Sequence, residues 1–347
     1  MKVLFDISHP AHVHLFKHTI GALKEAGDDV FVLSREKDVT VALLDSYGID
    51  HIPLSRIGVR KFSLFSEWAT REIRTIRTVR RFNPDVILCV MSPPSVHAGW
   101  LVDCPVIVFN DSEPVKLASL ITLPFVDHIC TPADFDGDLG EKQRTYEGYH
   151  ELAYLHPDQF HPDPDSLQKY GVEPTAPYAV VRFVSWGAHH DVGKRGFSID
   201  AKRELTSVLA DYGEVYISSE RPLLEEFEAY RLPIPPERMH DLLYYADIYV
   251  GDSQTMATEA AVLGTPSVRS NTFVGDADMS NFVELEREYD LLYSRSDSDE
   301  TIEIVRKLLA EPSLQEQWTA KRERLIEEKI DVTDYILEQI HEAGGAG

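Results

Sequence analysis

Short apolar runs alternate with amphipathic segments along most of this 347-residue chain, and this alternation constrains the fold more than any other feature. In the first half the runs have strand character and the segments between them have helical character. The sequence predicts strands at 3–7, 29–34, 86–90, 106–110 and 128–131, and helices at 15–26, 39–47 and 64–82. Strands that alternate with helices predict a parallel sheet covered on both faces, which is an α/β fold.

A second series of the same kind follows. It predicts strands at 178–183, 214–218, 248–250 and 267–269, and helices at 199–212, 223–228, 255–263 and 301–309. Between the two series, residues 156–165 are dense in proline and aspartate, which is typical of a linker. We therefore expect two Rossmann-like, doubly wound domains, 1–165 and 166–319, facing a central cleft at the carboxyl ends of their strands.

The charge balance is strongly acidic, with 58 Asp and Glu against 34 Lys and Arg, a formal net charge of −24. A field of that sign repels nucleic acid and anionic lipid, and it is typical of a halophilic source. Three cysteines without metal-ligand spacing indicate buried thiols in a reducing compartment. No apolar run is long enough to span a bilayer and no signal peptide is evident, so we expect a cytoplasmic protein, with peripheral contact to a membrane left open.

The segment 245–266 is a short strand, a tight turn and a helix that ends at Gly264 before Pro266. Such a helix start presents backbone N–H groups and a positive dipole end to an anion, which suits a phosphate. A helix cap and an ordinary helix stop would give the same pattern. The predicted contacts to a nucleoside diphosphate are Gly251, Asp252, Ser253, Gln254 and Thr255, with Glu259 on the ribose.

Three polar loops follow predicted strands of the first domain. His9, His12 and His14 follow the first strand, but no further ligand completes a metal site, so we expect no metal and assign this loop to acceptor binding or base catalysis. Residues 91–97 suit either a site or an ordinary loop. Asp111 and Glu113 follow the strand at 106–110 as candidate bases; alternatively, Asp111 or Ser112 caps a helix that contains Lys116.

A further loop follows the first strand of the second domain. Its arginine and glycine suit a diphosphate, and its tryptophan suits stacking on a base or sugar ring. Its histidines suit either proton transfer or a surface hydrogen bond. The candidates are Arg182, Ser185, Trp186, Gly187 and His190.

Motifs along nearly the full length resemble the DUF354 family, a mainly archaeal family grouped with GT-B glycosyltransferases. The resemblance rests on residues 5–14, 111–113, 148–155, 182–186 and 190–191. The Asp252–Pro266 pattern is also similar to that of UDP-N-acetylglucosamine 2-epimerases and, more loosely, MurG-like glycosyltransferases. The resemblance implies a GT-B fold in which a last helix, about 320–343, packs back on the first domain.

The expected function is metal-independent glycosyl transfer from a nucleotide-sugar, UDP-linked by resemblance, to a saccharide, lipid-linked or small-molecule acceptor. No other cofactor is expected. The second domain would hold the donor, and His12 or Glu113 would act as base, with Asp111 and His9 in reserve. Two alternatives stay open: an epimerase that acts on the nucleotide-sugar itself, and a non-catalytic nucleotide-sugar-binding subunit.

Overall fold

A computed structural model describes residues 1–56, 61–112, 120–184, 197–219, 222–271, 274 and 278–345, without the side chains of 56 and 61–66. The chain forms two compact units: unit 1 comprises residues 1–159 and 329–347, and unit 2 comprises residues 160–328. The chain therefore passes from one unit to the other twice, at 159/160 and at 328/329.

Unit 1 contains a sheet of seven parallel strands in the order β3-β2-β1-β4-β5-β6-β7. The strands are β1 (Lys2–Ile7), β2 (Asp29–Glu36), β3 (Ile52–Arg56), β4 (Val86–Val90), β5 (Val106–Phe109), β6 (His128–Pro132) and β7 (Gln143–Tyr146). The helices between and after them are α1 (Pro10–Glu25), α2 (Thr40–Ser46), α3 (Lys61–Phe82), α4 (Pro93–Val102) and α5 (Leu152–Leu155).

The central strands of this sheet are buried because both of their faces are apolar. Val3, Leu4, Phe5, Ile87 and Leu88 are fully buried, as expected for parallel strands covered by helices on both sides. The five predicted strands are confirmed. Two edge strands, β3 and β7, were not predicted, because their sequences IPLSR and QRTY carry too few apolar residues to stand out.

Unit 2 contains five parallel strands in the order β12-β11-β10-β8-β9. They are β8 (Tyr178–Phe183), β9 (Glu214–Ser219), β10 (Ile248–Gly251), β11 (Ser267–Ser270) and β12 (Leu292–Arg295). The helices of this unit are α6 (Pro164–Gln168), α7 (Ile199–Ala210), α8 (Met239–Tyr245), α9 (Gln254–Leu263), α10 (Ser280–Arg287), α11 (Ser298–Leu309) and α12 (Leu314–Glu328). The four predicted strands are confirmed, and β12 was not predicted.

The final helix, α13 (Val332–Gly344), belongs to unit 1. Thr333 Oγ1 donates to the Ala153 carbonyl at 2.7 Å, which fixes the start of α13 against the end of α5. Tyr335 Oη lies 3.7 Å from Cys130 Sγ on β6. No helix in the described ranges has both the length and the apolar character needed to cross a membrane.

Each sheet has a point where the strand order reverses. It lies between β1 and β4 in unit 1, and between β8 and β10 in unit 2. Open α/β sheets bind ligands beyond the carboxyl ends of the strands at such a point. These two places therefore hold the candidate sites.

Candidate functional site

Two arginines flank the end of β10 in unit 2. The strand register aligns Gly251 with Arg182 on one side and with Arg269 on the other. Outside them, Arg182 aligns with Ser218 and Arg269 with Ser294, so the row reads Ser-Arg-Gly-Arg-Ser across five strands. Neighbouring side chains in parallel register project from the same face of a sheet. Gly251 has no side chain, and the Tyr249 hydroxyl lies where a Gly251 side chain would begin, at the end of β10.

Both arginines are held by the serines of this row. Arg182 Nη1 donates to Ser218 Oγ at 2.7 Å, and Arg269 Nε donates to Ser294 Oγ at 3.2 Å. A methyl group at Gly251 would lie 2.7 Å from the Arg182 carbonyl oxygen and 2.5 Å from Tyr249 Oη. Only glycine fits here without moving the backbone of β8.

Arg269 is fully buried, which is unusual for a guanidinium. Its Nη2 pairs with Asp278, and its Cζ lies 3.6 Å from the centroid of the Phe282 ring. Burial lowers the pKa of Arg269 and raises that of Asp278. Arg269 Nη1 has no hydrogen-bond partner in the described part of the chain. One donor of this buried cation therefore makes no hydrogen bond within the described residues.

Helix α9 begins directly after the arginine row. Ser253 is its N-cap, and the Ser253 hydroxyl accepts a hydrogen bond from the Met256 N–H at 3.4 Å. Tyr249 Oη donates to the Ser253 carbonyl at 3.4 Å, which ties the turn back to β10. Gln254 and Thr255 form the first turn, where backbone N–H groups have no intrahelical acceptor. The N-terminus of α9, with the positive end of the helix dipole, therefore follows Gly251 of the arginine row after Asp252 and Ser253.

The two acidic residues predicted to contact the nucleotide are engaged within the protein. Asp252 Oδ1 accepts from the Val184 N–H at 2.7 Å, which holds the chain just after β8. Burial raises the pKa of Asp252, against the opposing effects of that hydrogen bond and of Lys202. Glu259 Oε1 lies 3.0 Å from Nε2 of His240 on α8, and both side chains are buried. Their roles toward a nucleotide stay predictions.

Five of the predicted site residues lie outside the described residues. They are Glu113, Ser185, Trp186, Gly187 and His190.

In unit 1, the side chains of Asp111 and His150 contact each other beyond the ends of β5 and β7. His150 Nδ1 lies 3.1 Å from Asp111 Oδ2, and Ser112 Oγ donates to Asp111 Oδ1 at 3.1 Å. Burial alone would raise the pKa of Asp111, but the charge and hydrogen bond of His150 outweigh it and hold that pKa well below its usual range. His150 is nearly buried, and its Nε2 has no partner among the described residues. The pair is thus an imidazole oriented by a carboxylate, and its second nitrogen makes no hydrogen bond within the described residues.

The histidines of the loop after β1 have separate environments. His9 is the N-cap of α1, its Nδ1 accepting from the Ala11 N–H at 3.2 Å. His12 Nδ1 accepts from the Ser8 N–H at 3.4 Å. Burial, and then the neighbouring His9, lowers the pKa of His12 to about 3, so its imidazole is neutral at ordinary pH. His14 packs on the ring of Tyr154 at 5.2 Å instead of joining the other two.

A buried polar network fixes the end of β1 at the strand-order reversal. Asp6 is 1% exposed and accepts hydrogen bonds from Ser92 at 2.5 Å and Ser95 at 2.6 Å, and it pairs with Arg71 on α3. Ser92 is the N-cap of α4 and Ser95 lies in its first turn, so part of the segment 91–97, for which the sequence allowed a site or an ordinary loop, is helical. Arg71 also approaches Ser55 Oγ at 3.4 Å. The network therefore positions the loop that carries His9 and His12.

One group of side chains in the described ranges has metal-ligand proximity: the ligand atoms of His156, Asp158 and Asp331 lie within 4.8 Å of one another. Asp331 also caps α13 through the Thr333 N–H and accepts from Gln159 Nε2 at 2.7 Å. The group joins the residues before 159/160 to those after 328/329. It includes none of the candidate residues above.

Comparisons with known proteins agree with this fold. Residues 1–344 match the family DUF354, described as a protein of unknown function. An uncharacterized protein of Methanocaldococcus jannaschii is 23% identical over 282 residues, covering 77% of this chain and 81% of that protein. Among solved structures, the UDP-GlcNAc 2-epimerase of Neisseria meningitidis bound to UDP-GlcNAc has a TM-score of 0.65 at 13% identity, covering 99% of this chain and 100% of the other. The glycosyltransferase VinC in complex with dTDP has a TM-score of 0.63 at 13% identity and full coverage of both chains.

Proposed function

The chain belongs to the DUF354 family and has a GT-B fold, and from its site we propose a glycosyltransferase that uses a nucleotide-sugar donor. The observation that carries the proposal is the pair Arg182 and Arg269 on either side of Gly251, directly before the N-terminus of α9. The two guanidinium groups and the start of α9 bring several N–H donors to the end of one strand, which suits an anionic ligand even though Asp278 balances the charge of Arg269. Two solved relatives of the fold hold UDP-GlcNAc and dTDP, which supports a nucleoside diphosphate.

The donor contacts would stabilise the leaving group. When the bond between the anomeric carbon and the diphosphate oxygen breaks, the electron pair remains on that oxygen. Arg182, Nη1 of Arg269 and the first N–H groups of α9 would stabilise this negative charge by donating hydrogen bonds to the oxygen. In metal-dependent enzymes a divalent metal stabilises the charge of the leaving diphosphate. These groups can do the same here, so we propose that no metal is required. Turnover that vanishes with EDTA and returns with Mg²⁺ or Mn²⁺ would contradict this part.

The proton chemistry is assigned to unit 1. His150 Nε2 would take the proton of an acceptor hydroxyl as its oxygen bonds to the anomeric carbon, and Asp111 would stabilise the resulting imidazolium across 3.1 Å. The low pKa of His12 makes it a weak base, so His12 is better suited to hydrogen-bonding the acceptor. Glu113 remains a second candidate base, and His9 a reserve.

An epimerase is the second candidate function, because epimerases share this fold at similar TM-scores and the Asp111–His150 pair would serve proton transfer at a sugar carbon equally well. Product analysis separates the candidates. The protein would be incubated with UDP-GlcNAc and other nucleotide-sugars, with and without saccharide and lipid-linked acceptors, and the sugars followed by NMR.

A transferase releases nucleoside diphosphate and forms a glycoside only when acceptor is present. An epimerase changes the sugar configuration without acceptor. Binding of nucleotide-sugar with no chemical change under any condition would leave a non-catalytic binding subunit and refute both enzyme proposals.

A further inference from the structure

Unit 1 carries an exposed surface that the reaction does not use and that combines apolar and cationic side chains. We name it the α3/α4 surface. Its apolar members are Ile73, Trp100, Leu101, Leu120 and Ile121, five of the twelve large apolar side chains that are exposed in the described part of the chain. Its cationic members are Arg77, Arg80 and Arg81.

The contacts between α3, α4 and Ile121 bring these side chains together. His97 on α4 lies 2.7 Å from Glu72 on α3, and its other ring nitrogen lies 2.9 Å from the Ile121 carbonyl. Ile73 is adjacent to Glu72, and Trp100 is one turn beyond His97. The Trp100 ring packs on Phe125 at 5.3 Å. The apolar members therefore lie around the hydrogen bonds that join Glu72, His97 and the Ile121 carbonyl.

The charge of this surface is opposite to that of the protein. Helix α3 has six Lys or Arg residues and two Glu. Both Glu side chains are turned inward: Glu67 pairs with Arg35 at 2.8 Å, and Glu72 meets His97. Arg77, Arg80 and Arg81 form no ion pair with any described residue, whereas the overall charge is −24. The exposed turns of α3 are thus locally cationic.

From this combination we propose that the α3/α4 surface binds an anionic lipid bilayer. Trp and Leu are suited to the boundary between headgroups and acyl chains, and nearby arginines pair with lipid phosphates. Trp100 is 62% exposed and Leu120 is 72% exposed, so both project outward instead of lining a groove, which fits a soft bilayer. A two-fold contact with a second copy would oppose like-charged arginines. Repulsion from the distant carboxylates is screened beyond about 10 Å at 0.1 M salt.

The test is vesicle co-sedimentation of the full chain at about 0.1 M salt. One set of vesicles is phosphatidylcholine alone, and the other contains phosphatidylglycerol as well. We expect binding to the anionic vesicles and little to the neutral ones. Arg77→Gln with Arg80→Gln should weaken it roughly 30-fold, from two charges at an anionic leaflet. The matched control, Arg231→Gln with Arg306→Gln, removes the same charge from exposed sites of unit 2 and should leave binding unchanged.

Leu120→Gln tests the apolar part at a position too exposed to affect folding, and it should also weaken binding to anionic vesicles. The proposal is overturned if no vesicle binds, or if the control variant loses as much as the α3 variant. It is also overturned if sedimentation velocity shows a dimer that Leu120→Gln dissociates, which would make the surface a contact between copies. Binding to an acidic polypeptide but not to vesicles would overturn it in favour of a protein partner.

Discussion

Substitution of Asp6 by Asn should destabilise unit 1 far more than its small change in shape suggests. The Asp6 carboxylate compensates the charge of Arg71, which is itself only 6% exposed. The other described partner of the Arg71 guanidinium is Ser55 Oγ at 3.4 Å, a weak contact. The hydroxyls of Ser92 and Ser95 can rotate to accept a hydrogen bond from the amide that Asp6→Asn introduces, but the Arg71 guanidinium can only donate and keeps its charge. A buried cation without compensation costs about 3–5 kcal/mol, which is the loss expected for Asp6→Asn.

The measurement is hydrogen exchange of the β1 and β4 amides across a urea titration, which reports on unit 1 separately. Asp85→Asn is the control, because Asp85 accepts from the Lys2 N–H at 2.7 Å at the exposed start of the same strand; it should cost no more than about 1.5 kcal/mol. Asp6→Asn with Arg71→Met should recover part of the loss, since no unpaired charge remains. A loss no larger than that of the control, or a double variant that equals the sum of the singles, would refute the reasoning.

Three further outcomes are expected. The pKa of His12 is about 3 when folded and 6.5 when unfolded, so only the unfolded chain gains a proton at His12 as the pH falls between these values. The free energy of unfolding should therefore fall by about 2 kcal/mol by pH 5. Urea titrations of His12→Asn should show a weaker dependence of that free energy on pH. Asp111→Asn should lower turnover about 10²–10⁴-fold and leave nucleotide affinity nearly unchanged, since the donor contacts lie in unit 2; a parallel loss of affinity by calorimetry would contradict this division. The unfolding midpoint should rise with KCl, because salt screens repulsion in a chain of charge −24; a midpoint that falls would contradict the halophilic interpretation.

The fold class was predictable because the central strands are apolar on both faces. Alternation of those runs with helices was sufficient for a doubly wound sheet, and the motifs gave the GT-B class, which the structure confirms. Elements with weak apolar patterns were missed. β12, with the sequence LYSR, is an example: Leu292 is buried and Tyr293 is not.

The candidate site was predictable only where it depends on local chain geometry. The turn at Ser253 and the start of α9 follow from residues within a few positions. Arg269 became a candidate only through strand register, which brings it beside Gly251, and its sequence gives no separate signal. His150 lies 39 positions from Asp111, and Arg71 lies 65 positions from Asp6. Pairs at such separation depend on the tertiary fold, which a single sequence does not specify.

The central claim is that unit 2 binds a nucleoside diphosphate at the arginine row and the start of α9, and calorimetric titration of UDP and dTDP tests it most directly. The account predicts saturable binding of at least one of them to the native chain. Arg182→Gln should weaken that binding roughly 10- to 100-fold, the worth of one hydrogen bond to a charged group, while Arg231→Gln should not. Absence of binding to the folded protein, or equal affinity in Arg182→Gln and native protein, would contradict it.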